Sequence, residues 1–261
     1  MKRVRLTRVD VAQRKATKMT DCVAQEKPLH VFVGKMLYAT IFCSPSNLKE
    51  LAVGHLLSEG IVKSVEEIEE VDLQDETGIC RVKLEPSVDT ERRLKFSKPF
   101  SRLILSACGS TQPYRFSGRL PKAKSRLAVK AETVSDGVSR LNSIAETFRK
   151  TGAVHVAAIY KPDGSLVAFA EDVGRHNAVD KTIGAAALNR ADFGGCFLAL
   201  SGRLSADIVL KAARVGLPIV ASLAAALDSG IKIATDAELT LIGFVRGGRM
   251  NIYTFPKRIL S

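Results

Sequence analysis

The second half of this chain is built from short apolar runs that hold almost no polar residue: "AVHVAAIY" at 153–160, "CFLALS" at 196–201, "LPIVAS" at 217–222 and "LTLIGFVR" at 239–246. A strand that shows one face to water alternates apolar with polar. Runs without that alternation belong to strands covered on both faces. Between them lie "HNAVDKTIGAAAL", "SADIVLKAARVG" and a shorter stretch near 229–236, each with helical spacing. Strands alternating with helices specify an α/β domain, one sheet with helices on its faces. A helix predicted over 135–150 leads into it, with Val138, Leu141, Ile144, Ala145 and Phe148 on one face and Gly152 as its stop. "SLVAFA" follows a turn at Lys161-Pro162-Asp163-Gly164, and "RMNIYTF" follows Gly247-Gly248.

The first half has another rhythm. "PLHVFVGKMLYATIFCS" predicts two strands around Gly34-Lys35. "PSNLKELAVGHLLSEG" predicts a helix capped by Ser46 or Asn47 and stopped at Gly60, with Leu48, Leu51, Ala52 and Leu56 sharing a face. Alternation returns at Ile79–Leu84, a half-buried strand, so this part is a small α+β unit. From 107 to 130 the apolar period vanishes and Gly, Pro, Ser and basic residues take over, a stretch too long for an ordinary connector. The expected organisation is a flexible basic tail at 1–20, an N-terminal α+β domain at 21–106, a basic loop at 107–130 and a C-terminal α/β domain at 131–261.

At 261 residues, 46% hydrophobic and 25% charged, the chain has the composition of a globular protein. No apolar run approaches the roughly 20 residues that span a bilayer, and the basic N-terminus lacks the apolar core of a secretory signal. Five cysteines at irregular gaps argue against a disulfide framework and for a reducing, cytoplasmic compartment. The formal net charge of +12 is uneven. Residues 1–20 hold seven Lys or Arg against Asp10, residues 101–130 hold seven and no acid, and Lys63–Glu76 is acidic. An anionic ligand fits this pattern better than duplex nucleic acid, for which no helix-turn-helix, zinc-finger or aromatic RNA-binding signature is present.

Four places could carry chemistry. Cys108, in "SACGSTQPYRF", follows an apolar strand-like run and precedes a Gly in acid-free basic surroundings, which favour the thiolate. A semi-buried structural thiol is the alternative. "EDVGRHNAVDK" gathers Asp172, Arg175, His176 and Lys181 at a strand-to-helix transition, either a polar pocket at the carboxyl end of a strand or a helix start capped by Asn177. "LSGRLSADIV" repeats the arrangement with Gly202 and Arg203. "GFVRGGR" places Arg246 and Arg249 around Gly247-Gly248, a phosphate-friendly turn or a hairpin with solvated arginines. Walker, dinucleotide-fingerprint and serine-hydrolase motifs are missing, as is any C-x-x-C. His155 lacks the Glu two residues on and the later cysteines that a zinc deaminase needs, so no structural metal is expected.

"LAVGHLLSEGI", "EDVGRHNAVDK", "LSGRLSADIVLKAARVGLPIVAS" and "LTLIGFVRGGRMNIYT", in this order, closely resemble the formate dehydrogenase accessory sulfurtransferase family, FdhD, from about Glu26 to the C-terminus. The resemblance implies a C-terminal domain of cytidine-deaminase-like fold without the zinc site. It also implies a sulfur carrier that takes sulfane sulfur from a cysteine desulfurase as a persulfide. The sulfur then passes to the molybdenum cofactor, bis(molybdopterin guanine dinucleotide), bound as a substrate before insertion into the formate dehydrogenase catalytic subunit. The family's loop reads S-x-C-G-x-C-G; Cys108 takes the first cysteine's place, while Thr111 and Gln112 stand where the second Cys and the Gly belong. The cofactor-binding segment maps to Phe244, Val245, Arg246, Gly247, Gly248 and Arg249, with Asp172, Arg175, His176 and Arg203 expected beside it. No nucleic-acid or membrane partner is expected, and a homodimer is compatible with the family. Two other readings stand beside this one: a cofactor-binding chaperone that has lost sulfur transfer with the second cysteine, and an anion-binding enzyme using Arg175 and His176 in acid–base work.

Overall fold

β-Branched and aromatic residues at alternate positions give β3 (Lys27–Val33) and β4 (Met36–Cys43), joined through Gly34 at φ 59°. In the computed structural model, which describes residues 1–95, 102–104 and 120–261, these strands centre a five-stranded sheet. Before them come β1 (Lys2–Asp10) and β2 (Lys15–Val23), a separate antiparallel hairpin of nine residue pairs. The stretch expected as a flexible tail is therefore a two-stranded ribbon. Its polar, charge-rich strands gave no apolar period from which to read it.

After β4 comes α1 (Leu48–Ser58), then β5 (Ile68–Gln74), β6 (Ile79–Leu84), the short α2 (Thr90–Lys95) and β7 (Arg102–Ile104). The sheet order is β5-β6-β3-β4-β7, with β3/β6 and β4/β7 parallel and the other pairs antiparallel. Asn47 precedes α1 in the left-handed region (φ 53°), and no side chain caps the helix, contrary to the expected Ser or Asn cap. Residues 105–119, including Cys108 and most of the predicted basic loop, lie outside the described residues.

The second sheet follows β8 (Val129–Lys130), α3 (Ala131–Ile144) and α4 (Glu146–Thr151). The one helix predicted over 135–150 is two, because Ala145 leaves helical geometry at ψ 86°. Then come β9 (His155–Tyr160), β10 (Leu166–Asp172), α5 (Arg175–Leu188), β11 (Phe197–Leu200), α6 (Ala206–Val215), β12 (Ile219–Ser222), α7 (Asp228–Asp236), β13 (Thr240–Arg246) and β14 (Arg249–Ile252). β15 (Ile259–Leu260) returns to pair with β8. The six strands are ordered β10-β9-β11-β12-β13-β14, with β11, β12 and β13 parallel.

Both faces of this sheet are covered, as the unbroken apolar runs require. Val156, Ala158 and Tyr160 of β9 point to one core with Phe197, Ala199 and Val134, Val138 and Leu141 of α3. Ala157 and Ile159 point to the other, with α5, α6 and α7. That second core runs without interruption into the N-terminal sheet and takes in Leu29, Val31, Ile41, Leu51 and Val82. The two sheets are joined through α1 and α5. A Cβ on Gly54 would lie 1.8 Å from the Asp180 carbonyl oxygen, and one on Gly184 1.9 Å from that of Glu50. The helices cross backbone to backbone at these two glycines. Among the described residues no helix is long and apolar enough to cross a membrane.

Candidate functional site

Strand direction gathers the predicted residues at one edge of the six-stranded sheet. β11, β12 and β13 run parallel and end there, at Leu200, Ser222 and Arg246. β9 and β14 run antiparallel to their neighbours, so His155 and Arg249 begin at the same edge. β10, antiparallel to β9, ends there at Asp172. This is the edge at which open α/β sheets hold ligands.

The turns along it are closely determined. Leu204 and Ala226 form a bridge between the β11–α6 and β12–α7 turns, and the Leu204 N–H donates to the Ala225 carbonyl at 3.0 Å. Ser222 Oγ accepts from the Ala224 N–H at 3.0 Å and lies 2.6 Å from the Gly202 carbonyl oxygen. A Cβ on Gly202 would come within 3.1 Å of the Arg175 side chain, so Gly202 makes room for that arginine. Next along the edge, the β13–β14 register shifts between Gly243 and Arg246. Phe244 stands at φ 53°, a strained conformation for an aromatic residue, and its N–H donates to the Ala224 carbonyl at 3.0 Å. The Arg246 guanidinium lies 5.2 Å over the Phe244 ring. Gly247 and Gly248, at φ 59° and 71°, supply the positive φ pair of a tight hairpin turn, and Arg246 and Arg249 are exposed on either side of it.

Two histidines share the other end of this edge. Val156 N–H donates to Ser201 Oγ at 3.0 Å, and that oxygen lies 3.3 Å from His155 Nδ1. Burial lowers the His155 pKa, and Arg175, His176 and Arg203 lower it further. His176 Nε2 lies 3.7 Å from Asp207 Oδ2. Burial lowers its pKa too, against the pull of Asp207. Both rings are held toward the neutral form in a cationic neighbourhood. The edge thus offers neutral imidazoles, half-buried Arg175 and exposed Arg203, Arg246 and Arg249, a set suited to an elongated anion.

Other predicted residues are committed elsewhere. Asp172 is fully buried and ion-paired with fully buried Lys181 at 2.7 Å. It accepts from the N–H groups of Ser44 (2.9 Å) and Gly174 (2.8 Å) and from Asn177 Nδ2 (3.0 Å). Lys181 Nζ donates to the Ser44 carbonyl at 2.9 Å, and Asn177 Nδ2 also reaches the Phe42 carbonyl at 2.8 Å. This cluster ties the end of β4 to the turn that carries Arg175. It is a brace and not a pocket, and Asn177 serves it instead of capping α5. Val245 is also buried, in the core under α3. A strand alternates its sides, so Val245 faces inward between Phe244 and Arg246.

A second buried cluster went unread in the sequence. Asp180 accepts from Ser58 Oγ at 2.6 Å and lies 2.9 Å from both His55 Nδ1 and Lys211 Nζ. Lys211 also reaches Glu59 at 3.0 Å. "GHLLSEG" carries three members of this group, but their partners lie more than a hundred residues away. Among the described cysteines, burial raises the thiol pKa of Cys43 and Cys80 to about 12 and raises that of Cys196 as well.

Residues 24–260 match the model of the FdhD/NarQ family. The chain is 36% identical over 248 residues to the sulfur carrier protein FdhD of Shouchella clausii, covering 93% of this chain and 91% of that one. It is 35% identical over 243 residues to the protein of that name from Staphylococcus haemolyticus, covering 92% and 90%. A crystal structure of a protein assigned as a formate dehydrogenase accessory protein, from Desulfotalea psychrophila, superposes with a TM-score of 0.79 at 24% identity, covering 99% of this chain and 98% of that one. That likeness supports the same α/β fold. With the matched motifs falling on the β10–α5, β11–α6 and β13–β14 turns, the chain belongs to the FdhD/NarQ family.

Proposed function

We propose that this protein is a cytoplasmic sulfur carrier that delivers sulfur to the molybdenum cofactor destined for formate dehydrogenase. The observation that carries this reading is the single sheet edge bearing Arg175, Arg203, Arg246 and Arg249, in a chain whose relatives are named sulfur carriers. From β10 to β13 that edge spans four strand spacings, about 20 Å. An elongated dinucleotide cofactor with its phosphates on the arginines fits such a length. Arg175 at the α5 N-terminus and Arg246 and Arg249 around the glycine turn hold phosphate oxygens. Neutral His155 and His176 donate or accept hydrogen bonds without adding charge.

Cys108 carries the sulfur. Its thiolate attacks the outer sulfur of the cysteine desulfurase persulfide, the S–S bond there breaks, and the desulfurase thiolate leaves as a Cys108 persulfide forms. β7 ends at Ile104, paired with Ile41 of β4, and β4 runs on to Ser44 in the brace with Asp172. With Thr111 at the position of a second loop cysteine, transfer runs from Cys108 to the bound cofactor without a relay. Thr111 also favours the alternative reading, a chaperone that binds the cofactor but no longer carries sulfur.

Intact-mass measurement after incubation with a cysteine desulfurase and cysteine separates the two. The wild type gains the mass of one sulfur atom and Cys108→Ser gains none. An equal mass gain in the two proteins, or no gain in either, defeats the carrier reading.

A further inference from the structure

We infer that Ser44 is a positioning residue for the anion site, acting through Arg175: its hydroxyl fixes the turn from which that arginine reaches a ligand. The inference rests on the reading that Arg175 holds phosphate oxygens, and it assigns a role to a residue of the other sheet. Four hydrogen bonds join the end of β4 to the start of α5. Ser44 N–H donates to Asp172 Oδ2 at 2.9 Å, Lys181 Nζ to the Ser44 carbonyl at 2.9 Å, and Asn177 Nδ2 to the Phe42 carbonyl at 2.8 Å. On the β4 side these three use the main chain, so any residue but proline at position 44 could make them. The fourth needs the side chain: Val173 N–H donates to Ser44 Oγ at 3.1 Å. A serine at this place therefore serves the Val173 amide.

That amide sits two residues before Arg175. The next one, of Gly174, donates to Asp172 Oδ1 at 2.8 Å, and no side chain caps α5. The body of α5 is fixed by other means. Gly184 meets the Glu50 backbone, and Thr182 Oγ1 donates to the Ala157 carbonyl at 3.0 Å. What stays adjustable is the turn ahead of the helix, where Gly174 puts a flexible link between Val173 and Arg175. On its far side the Arg175 stem lies against Gly202, where an added Cβ would be 3.1 Å from Arg175 Cβ and 3.4 Å from Cδ. Ser44 behind and Gly202 in front thus aim the guanidinium between them. Paired hydrogen bonds from an arginine to phosphate depend on that aim. Val173 is half-buried, so water can take up its amide once the hydroxyl is gone. The fold is then spared, and the aim of Arg175 is not.

Calorimetric titration of the full chain with GDP tests this. Ser44→Ala weakens binding about five-fold, the worth of one hydrogen bond, and Ser44→Thr, which keeps the hydroxyl, binds like wild type. Arg175→Ala weakens binding about ten-fold, and Ser44→Ala adds nothing to it in that background. Added to Arg246→Ala with Arg249→Ala, whose arginines stand on another turn, Ser44→Ala costs its full factor again. A residue that only supported the fold would lower the melting temperature and cost the same factor in every background. Ser44→Cys, a weaker acceptor of similar size, repeats the comparison should the alanine variant fold poorly. If Arg175→Ala weakens binding while Ser44→Ala binds like wild type, or if Ser44→Ala costs the same factor with and without Arg175, the assignment of Ser44 is overturned alone. A wild type that does not bind GDP, or an Arg175→Ala variant that binds it equally well, overturns the phosphate reading and this inference with it.

Discussion

The seam between α1, α5 and α6 and the rim at the end of the second sheet are made from the same residue types, and they behave in opposite ways. In the seam, Asp180, Lys211, Asp172 and Lys181 are buried, Glu59 is half-buried, and their ion pairs close at 2.7–3.0 Å. On the rim, Arg203, Arg246 and Arg249 stay exposed, with no ion pair to an acid of this chain among the described residues. A saturated cluster contributes to holding two sheets together and has no valence left for a ligand. An unsaturated one contributes little to folding and keeps its donors for something else. Residue type cannot distinguish these roles; burial and partner count do.

Three changes test that contrast. The largest effect belongs to Lys211→Met, which leaves buried Asp180 without its lysine and half-buried Glu59 with Arg214, 3.7 Å away. Breaking one partner of a buried pair costs about 3–5 kcal/mol, read from urea unfolding. The pH profile sharpens it. Burial alone would raise the pKa of Asp180 and Glu59, but Lys211 together with His55, and with Ser58 at Asp180 and Arg214 at Glu59, more than offsets it and both are lowered. A lowered carboxyl pKa contributes stability that is fully present above the unfolded value of about 4 and is lost as pH falls toward the folded value. The wild type should therefore lose stability on the acid side, and Lys211→Met should lose less of it there. An acid limb equally steep in both proteins would show that the seam's charges do not work as a unit.

Next is Gly184→Ala. Its methyl group would meet the Glu50 backbone, which cannot swing aside as a side chain can. Overpacking of this kind costs about 1–3 kcal/mol, with the excess expected here because two helices must separate. Thermal unfolding checks it, and Gly184→Ala as stable as wild type would mean the helices cross more loosely than described.

Smallest in stability is Arg246→Ala with Arg249→Ala on the rim. Exposed positions move folding by no more than about 0.5 kcal/mol. Yet GDP, as a fragment of the proposed substrate, should bind at least about ten-fold more weakly by calorimetry, the loss expected when charge-assisted contacts to phosphate go. A large loss of stability with unchanged GDP affinity would place these arginines in the seam's category.

The strands of the second sheet were legible because a buried strand writes its environment into a few consecutive residues, as "CFLALS" and "LPIVAS" do. The turns at Arg175, Arg203 and Arg246 followed from where those strands end. What escaped depends on distant residues. Asp172 looked like a ligand contact because Ser44, which saturates it, lies 128 residues earlier. β5 hid in an acidic run, and the hairpin in a basic one, because a strand held by neighbour pairing needs no apolar period. The break at Ala145 left no Pro or Gly to mark it.

The raised thiols of Cys43 and Cys80 also bear on fidelity. A persulfide donor does not choose its acceptor by name; it reacts with whichever thiolate meets it. At a pKa of about 12, only on the order of one thiol in 10⁵ is ionised at pH 7. Burial also bars the donor from these sulfurs. A carrier that must be loaded at one position gains selectivity from making its other sulfurs poor competitors. For Cys43, Cys80 and Cys196 the hydrophobic core supplies it, as a by-product of packing that does not extend to half-exposed Cys22.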